Sequence, residues 1–115
     1  MADDFSDLPF GVERHGDEVI VDLSPLKMLD EAAVQQIRDP LLSLADEEAH
    51  SQLSLDLQGI EYITSSMLET LIQMHRKFKD GGGRLILRHL QPQVHEVFEV
   101  TKLHELFEIQ EDNGG

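Results

Sequence analysis

The sequence of 115 residues contains 23 Asp and Glu against 9 Lys and Arg, which gives a net charge of -14, and it has no Cys. A chain of this length folds as one domain around a single modest core. The lack of Cys excludes disulfides, thiolate zinc sites and cysteine nucleophiles, and the negative charge disfavours direct binding to nucleic acid. The same charge steers basic partners toward the protein, or serves only its solubility.

The first ten residues, MADDFSDLPF, carry three Asp where a signal peptide needs positive charge and an apolar run. No apolar stretch elsewhere approaches the length of a membrane span. We therefore expect a cytoplasmic protein without membrane insertion. Polar and Gly-rich composition at the ends predicts a flexible acidic N-terminus over residues 1–8, a domain over 9–109 and a flexible tail over 110–115.

The first third of the chain predicts a hairpin followed by a helix. Residues 10–14 and 19–23 alternate in polarity around the turn sequence HGDE. From Asp30, the predicted N-cap, apolar residues recur at helical spacing. Pro40 has no backbone N–H to donate, so we expect it to kink this helix or to begin a new one with Asp39 as cap.

The rest of the chain alternates between strand and helix patterns. Residues 53–57 and 84–88 read as strands, and a helix over 67–79 lies between them and ends at the GGG of 81–83. A third helix begins at Pro92. The order ββαβαβα predicts a single α/β domain with a mixed, mostly parallel sheet, in which strand 53–57 is central.

Three consecutive hydroxyl residues, Thr64, Ser65 and Ser66, precede the second helix. Ser66 and Glu69 have the spacing of a capping box, so Ser66 is the predicted N-cap. Ser65 would then be a free hydroxyl at a helix N-terminus, where the dipole stabilises an added phosphoryl group by about 0.3 to 1 kcal/mol. The alternative is that all three hydroxyls satisfy backbone groups of the loop.

The segment LDLQGIEYITSSMLETLIQMHRKFKDGGGRLILRHLQPQVHEVFEVTKLHELFEI resembles the second half of a STAS domain, the module of bacterial anti-sigma factor antagonists. The pieces VIVDLS and LDEAAV fit its first half. The resemblance implies a β/α fold with no active site of its own and no cofactor. It also implies a loop Ser that is phosphorylated by an anti-sigma factor acting as a serine kinase, and a cognate phosphatase that restores it.

Aligned on this motif, the phosphorylated Ser of the family falls on Ser65. The loop departs from the family at Thr64, where Asp is usual, and at Met67, where Gly is usual; Lys102 replaces another frequent Gly. Thr64 is therefore a second candidate acceptor, and a binding surface that no kinase modifies is the alternative. Leu68 is expected in the core, whereas Met67 lies off the apolar stripe and is expected to be exposed. The predicted partner-binding residues are Thr64, Ser65, Ser66, Met67, Asp30 and Asp56.

Six His raise the question of a metal site. His95 and Glu99 are four residues apart with His104 beyond, but without Cys or an HExxH pattern this arrangement is unspecific. His75 lies on the apolar stripe of the second helix and is expected to be a packed histidine. With no GxSxG, P-loop or GxGxxG motif, we expect no enzyme, no metal and no cofactor.

The rival functions are a phosphorylation-independent STAS scaffold or transport-associated subunit and, more remotely, a small metal-binding enzyme. The sequence does not predict the oligomeric state.

Overall fold

A computed structural model describes residues 8–110 of the chain. Its elements in chain order are β1 (Gly11–His15), β2 (Glu18–Asp22), β3 (Met28–Leu29), α1 (Glu31–Glu48), β4 (Gln52–Asp56), β5 (Tyr62–Ile63), α2 (Ser65–Gly81), β6 (Arg84–Arg88), α3 (Pro92–Val100) and β7 (Glu108–Gln110). Short 3-10 turns occur at Ser24–Leu26 and Leu103–Glu105. The predicted tails lie outside the described residues, except that Leu8 packs against the core and Gln110 ends β7.

The main sheet has the strand order β1-β2-β4-β6-β7. The hairpin partner β1 is antiparallel, and β2, β4, β6 and β7 are parallel to one another. The predicted mixed, mostly parallel α/β fold is therefore confirmed, and the strand predicted over 53–57 is central, as β4. The prediction lacked β7 and the two-residue strands β3 and β5, which pair in parallel as a separate ribbon.

The core lies on one face of the sheet. Alternate residues of β2, β4 and β6 are buried there, and all three helices contribute apolar side chains to the same cluster. Leu55 of β4 is fully buried, as predicted, because a central parallel strand is covered on this face by helices. The residues of these three strands that belong to this core cluster are Val19, Val21, Leu53, Leu55, Leu85 and Leu87.

Helix α1 confirms one prediction and corrects another. The Asp30 carboxylate accepts a hydrogen bond from Ala33 N at 3.0 Å, so Asp30 is the N-cap. The predicted alternative of a new helix at Pro40, with Asp39 as cap, is wrong, because α1 continues through Pro40 to Glu48. Ile37 and Leu41 on either side of it are both fully buried in one core. Their burial, about 1.5 to 3 kcal/mol each, offsets the roughly 3 kcal/mol that an interior Pro costs.

The C-terminal turn of α2 follows the Gly-rich sequence. Gly82 adopts the left-handed conformation (φ 82°), and its N–H donates to the carbonyl of Phe78. Gly83 lies so close to the Ser51 carbonyl that a Cβ would clash with it. Lys102 also has a left-handed backbone, with φ 64°, in the turn after α3. The backbone at both turns thus favours Gly, although only the first turn has one.

None of the helices within residues 8–110 combines the length and the apolarity that crossing a membrane requires.

Candidate functional site

The hydroxyl residues lie at the carboxyl edge of the sheet, where β2 and β4 both end. The ribbon of β3 and β5 crosses this edge and is extended by two backbone hydrogen bonds, from Glu61 N to Lys27 O at 3.0 Å and from Thr64 N to Leu29 O at 3.1 Å. Helix α1 begins two residues after Leu29, and α2 begins directly after Thr64. The ribbon therefore sets the N-termini of the two helices side by side.

Thr64, not Ser66, is the N-cap of α2. Thr64 has an extended backbone, and its Oγ1 accepts a hydrogen bond from Met67 N at 3.4 Å, which is long for such a bond. The predicted cap at Ser66 is wrong because the pairing of Thr64 N with Leu29 O ends the ribbon at Thr64, so the first hydroxyl takes the cap position. Ser66 is instead the second residue of α2, and its Oγ donates to Glu31 Oε2 at 2.6 Å.

Ser65 is the first residue of α2 and is exposed. Within residues 8–110 its hydroxyl makes no hydrogen bond, so it is free of the structural roles of its two neighbours. Backbone N–H groups in the first turn of a helix have no intrahelical acceptor and carry a partial positive charge. The free hydroxyl at a helix N-terminus that the sequence predicted is present, although the helix begins at Ser65, two residues earlier than that argument assumed.

Met67 is fully buried, so its predicted exposure is wrong. The helix that starts at Ser65 places Met67 on one face with Leu71 and Met74, four and seven residues on, and both are also fully buried. Leu68 is buried as predicted, with 8% exposure. Met67 therefore packs in the core beneath the loop, where the Gly that is usual at this position in the family would fill less space.

The two predicted Asp residues both have hydrogen-bond partners at this edge of the sheet. Asp30 follows Leu29 of the ribbon and caps α1 beside Ser66 and its partner Glu31. Asp56, at the end of β4, is engaged elsewhere: its Oδ1 accepts from Gln58 N at 3.0 Å and lies 2.9 Å from His89 Nδ1. Each Asp thus holds a local turn or cap.

Two exposed apolar residues at this edge were missed by the sequence analysis. Met28 and Tyr62 are partners in the register of the ribbon and keep 49% and 52% exposure. Strands of two residues are too short to show alternation, so no periodic signal could have found them. The only available signal was an aromatic residue three positions before Ser65.

The His residues have ordinary structural contacts. His75 is partly buried, with its ring at 5.6 Å and 72° to that of Phe107, which fits the predicted packed histidine. Burial lowers the pKa of His75, and the nearby Lys79 adds to this. His95 lies 3.4 Å from Glu99, and His104 Nδ1 lies 3.2 Å from the Phe98 carbonyl. No group of three or more potential metal ligands occurs within residues 8–110.

Comparison with known proteins agrees with this geometry. The STAS domain family model matches residues 12–114. BtrV of Bordetella bronchiseptica, named as a candidate anti-sigma factor antagonist, is 27% identical over 82 residues, which are 71% of this chain and 70% of BtrV.

Solved structures show the same fold. An anti-sigma-factor antagonist STAS domain protein from Planctomyces limnophilus superposes with a TM-score of 0.81 at 22% identity, over 95% of this chain and 94% of that one. The anti-sigma factor antagonist SpoIIAA in its unphosphorylated form has a TM-score of 0.75 at 23% identity, with 90% and 88% covered. The phosphorylated form of the Bacillus SpoIIAA has a TM-score of 0.69 at 22% identity, with 90% and 91% covered.

Proposed function

Since this chain belongs to the STAS domain family, we propose that it works as an anti-sigma factor antagonist, a protein-interaction switch controlled at Ser65. In the free state it binds an anti-sigma factor that is also a serine kinase, and phosphorylation of Ser65 releases this regulator. A cognate phosphatase resets the switch. All of this takes place in the cytoplasm, and this chain supplies the phosphoryl acceptor and no catalytic residue.

The observation that carries the proposal is the free, exposed hydroxyl of Ser65 between two engaged ones. Thr64 Oγ1 accepts from the α2 backbone, and Ser66 Oγ donates to Glu31. A kinase acting on either neighbour would have to break the contact first. Ser65 is therefore favoured over Thr64, which stays the second candidate acceptor.

The electrostatics explain how a phosphate would act as a release signal. A phosphoserine adds about -1.5 to -2 charges. The N-terminus of α2 stabilises this charge within the protein by about 0.3 to 1 kcal/mol, so the fold tolerates the modification. Asp30 and Glu31 are already beside the site, however, and the added charge exceeds what a partner surface matched to the unmodified loop can accommodate.

Two relatives support the proposal by their descriptions. BtrV is named as a candidate antagonist, and SpoIIAA is described as an anti-sigma factor antagonist with both unphosphorylated and phosphorylated forms. The rival within the fold is a phosphorylation-independent scaffold or transport-associated subunit. That rival needs no free hydroxyl at the edge of the contact surface.

The test begins with affinity capture of the tagged protein from its native cells, identification of the bound regulator, and phosphosite mapping of the recovered protein. Titration calorimetry with the purified regulator then compares wild type, Ser65→Ala and Ser65→Asp. We expect Ser65→Asp to weaken binding at least about tenfold, or 1.4 kcal/mol, and Ser65→Ala to bind and stay bound. Ser43→Asp is the matched control, since Ser43 is an exposed Ser on α1. Equal affinities for all four proteins would favour the scaffold.

A further inference from the structure

The exposed pair Met28 and Tyr62 forms a small apolar surface beside Ser65. Parallel pairing of β3 with β5 puts the two side chains next to each other on one side of the ribbon, while the following pair, Leu29 and Ile63, is buried. Tyr62 is also the only Tyr of a sequence without Trp. The ribbon thus holds one pair of apolar side chains in the core and presents the next pair to solvent.

The charged residues around this pair are mostly acidic, although Lys27 directly precedes Met28. Glu61 precedes Tyr62 and is exposed, and Asp30 and Glu31 follow the other strand. Within residues 8–110 none of these three carboxylates forms an ion pair with a Lys, Arg or His. A shallow cavity opens next to Met28 and is lined by Ser24, Lys27, Met28, Gly59 and Glu61.

An apolar centre with a charged rim is the anatomy of a protein-binding surface, in which aromatic residues commonly provide much of the affinity. The carboxylate rim selects the partner's chemistry. A second copy of this chain would bring a second set of carboxylates to the same place, and a net charge of -14 opposes that approach. A surface with Lys or Arg around an apolar contact is complementary.

We propose that Met28 and Tyr62 anchor the regulator by packing against a segment whose apolar side chains are flanked by Lys or Arg. This inference rests on the proposed function, because it assigns the contact surface of the same regulator. Ser65 lies at the border of the anchor, three residues from Tyr62. A phosphate there places a strongly hydrated charge at the edge of the apolar contact, and the cost of desolvating that charge opposes the contact even though the partner's Lys or Arg attracts it.

The test replaces one residue at a time by the photoreactive amino acid p-benzoylphenylalanine in the full chain, expressed in its native cells. The replaced positions are Tyr62, Ser65 and, as control, Leu106. Leu106 is a comparably exposed apolar residue, at 41%, and lines a groove with Gly83 and Arg84 at the opposite edge of the sheet. We expect the probes at 62 and 65 to crosslink to one protein, within a segment that contains apolar residues next to Lys or Arg, and the probe at 106 not to do so.

The other outcomes separate the two proposals. A crosslink from position 65 without one from 62 would overturn the anchor and leave the switch at Ser65 intact. A crosslink from 62 to a second copy of this chain, or to an acidic segment, would also overturn the anchor. No crosslink from either position would overturn the proposed function together with the anchor.

Affinity measurements with the crosslinked protein, once purified, provide the quantitative arm. Met28→Ala and Tyr62→Ala should each weaken binding about tenfold or more, and Leu106→Ala should change it less than about twofold. The wild-type affinity should also fall as salt is raised, because the rim charges are screened. All three variants alter exposed side chains, so unchanged melting temperatures would confirm that the lost affinity is a surface effect. Equal affinity of Tyr62→Ala and wild type would contradict the anchor.

Discussion

At the amino edge of the sheet, where the parallel strands begin, carboxylates form ion pairs with Arg; at the carboxyl edge Asp30, Glu31 and Glu61 form no such pair within residues 8–110. Arg84 of β6 forms an ion pair with Glu108 of β7 and also donates to Gln52 Oε1 at 3.2 Å. Arg14 of β1 binds both carboxylate oxygens of Glu48, at 2.5 and 3.2 Å. These contacts tie neighbouring strands and the end of α1 together.

At the carboxyl edge the contacts of the carboxylates are of another kind. Asp30 accepts from a backbone N–H, Glu31 accepts from Ser66, and Asp56 lies against His89. Within residues 8–110 the carboxylates of Asp30, Glu31 and Glu61 near Ser65 thus form no ion pair, and they lie beside an exposed apolar pair. This protein thus pairs carboxylates with Arg where the contact joins strands or helix α1 to the sheet. It leaves carboxylates without an ion pair at the edge where we propose that a partner binds.

The largest expected effect on stability concerns β4, the central strand that runs from the amino edge to the carboxyl edge of the sheet. Leu55→Ala removes a fully buried side chain from the central strand and should lower the free energy of unfolding by about 2 to 5 kcal/mol, because the surrounding core cannot collapse into the cavity. Urea melts would measure this. Leu106→Ala, at an exposed position, should stay within about 0.5 kcal/mol of wild type. If Leu55→Ala lowered the free energy of unfolding as little as Leu106→Ala does, the burial of Leu55 in β4 would not be what stabilises the sheet between the two edges.

The next effect concerns the amino edge alone. Glu48 has only 8% of its side chain exposed, whereas Arg14 has 49%, so Arg14→Ala leaves a mostly buried carboxylate without its bidentate partner. We expect a loss of about 1 to 3 kcal/mol in unfolding free energy. Arg38→Ala is the control, since its 3.8 Å pair with Asp39 and its 3.3 Å hydrogen bond to Gln73 are both exposed and should contribute little. If both variants lost the same small amount, the amino edge would not owe its rigidity to ion pairs.

A smaller effect tests the caps at the carboxyl edge. Thr64→Ala removes the N-cap of α2 and should cost about 0.5 to 1 kcal/mol, at the low end of cap energies because the bond of 3.4 Å is long. Ser65→Ala should change stability little, since the hydroxyl has no partner within residues 8–110. Denaturant melts of both variants decide the order. A larger loss at Ser65 than at Thr64 would show that the hydroxyl roles are exchanged.

Much of the fold could be predicted from local patterns. Strand β6 begins and ends where its alternation does, and β4 is displaced by one residue from its predicted position. The alternative of a new helix at Pro40 was wrong because a local rule ignores the core that holds both halves of α1. Strand β7 has three residues at a sheet edge, and its pairing with β6 is a non-local contact without a periodic signal.

The candidate site was predictable only in part. That a hydroxyl near residue 65 would be free followed from the spacing, because a helix N-terminus needs only one cap. Which hydroxyl caps depends on the pairing of Thr64 with Leu29, which is 35 positions away in the sequence. The burial of Met67 follows from the same pairing, since it sets the first residue of α2. Long-range strand pairing is thus the information that the local patterns lacked.

The smallest effect is a pH dependence at the amino edge. Glu18 accepts from Ser54 Oγ at 2.7 Å and from Gln52 Nε2 at 3.0 Å. The Ser54 hydrogen bond is the main cause that lowers the pKa of Glu18; burial opposes it, and the Gln52 hydrogen bond and Arg88 lower it further. A carboxyl whose pKa is lower in the folded than in the unfolded state adds stability above the unfolded pKa. That stability is lost as the pH falls through the folded pKa.

Ser54→Ala should therefore raise the pKa of Glu18 and weaken the acid dependence of stability. Urea melts over a pH series should show the largest difference from wild type near neutral pH, with the two curves converging as Glu18 is protonated in both proteins. Glu18→Gln is the control, because it removes the titrating group, and Ser54→Ala in that background should have no such pH dependence. A difference that stays constant with pH would mean that Ser54 acts only by packing. The carboxylates of this edge would then not be held in their charged form by their hydrogen-bond partners, and the contrast with the open carboxylates beside Ser65 would rest on the ion pairs of Arg14 and Arg84 alone.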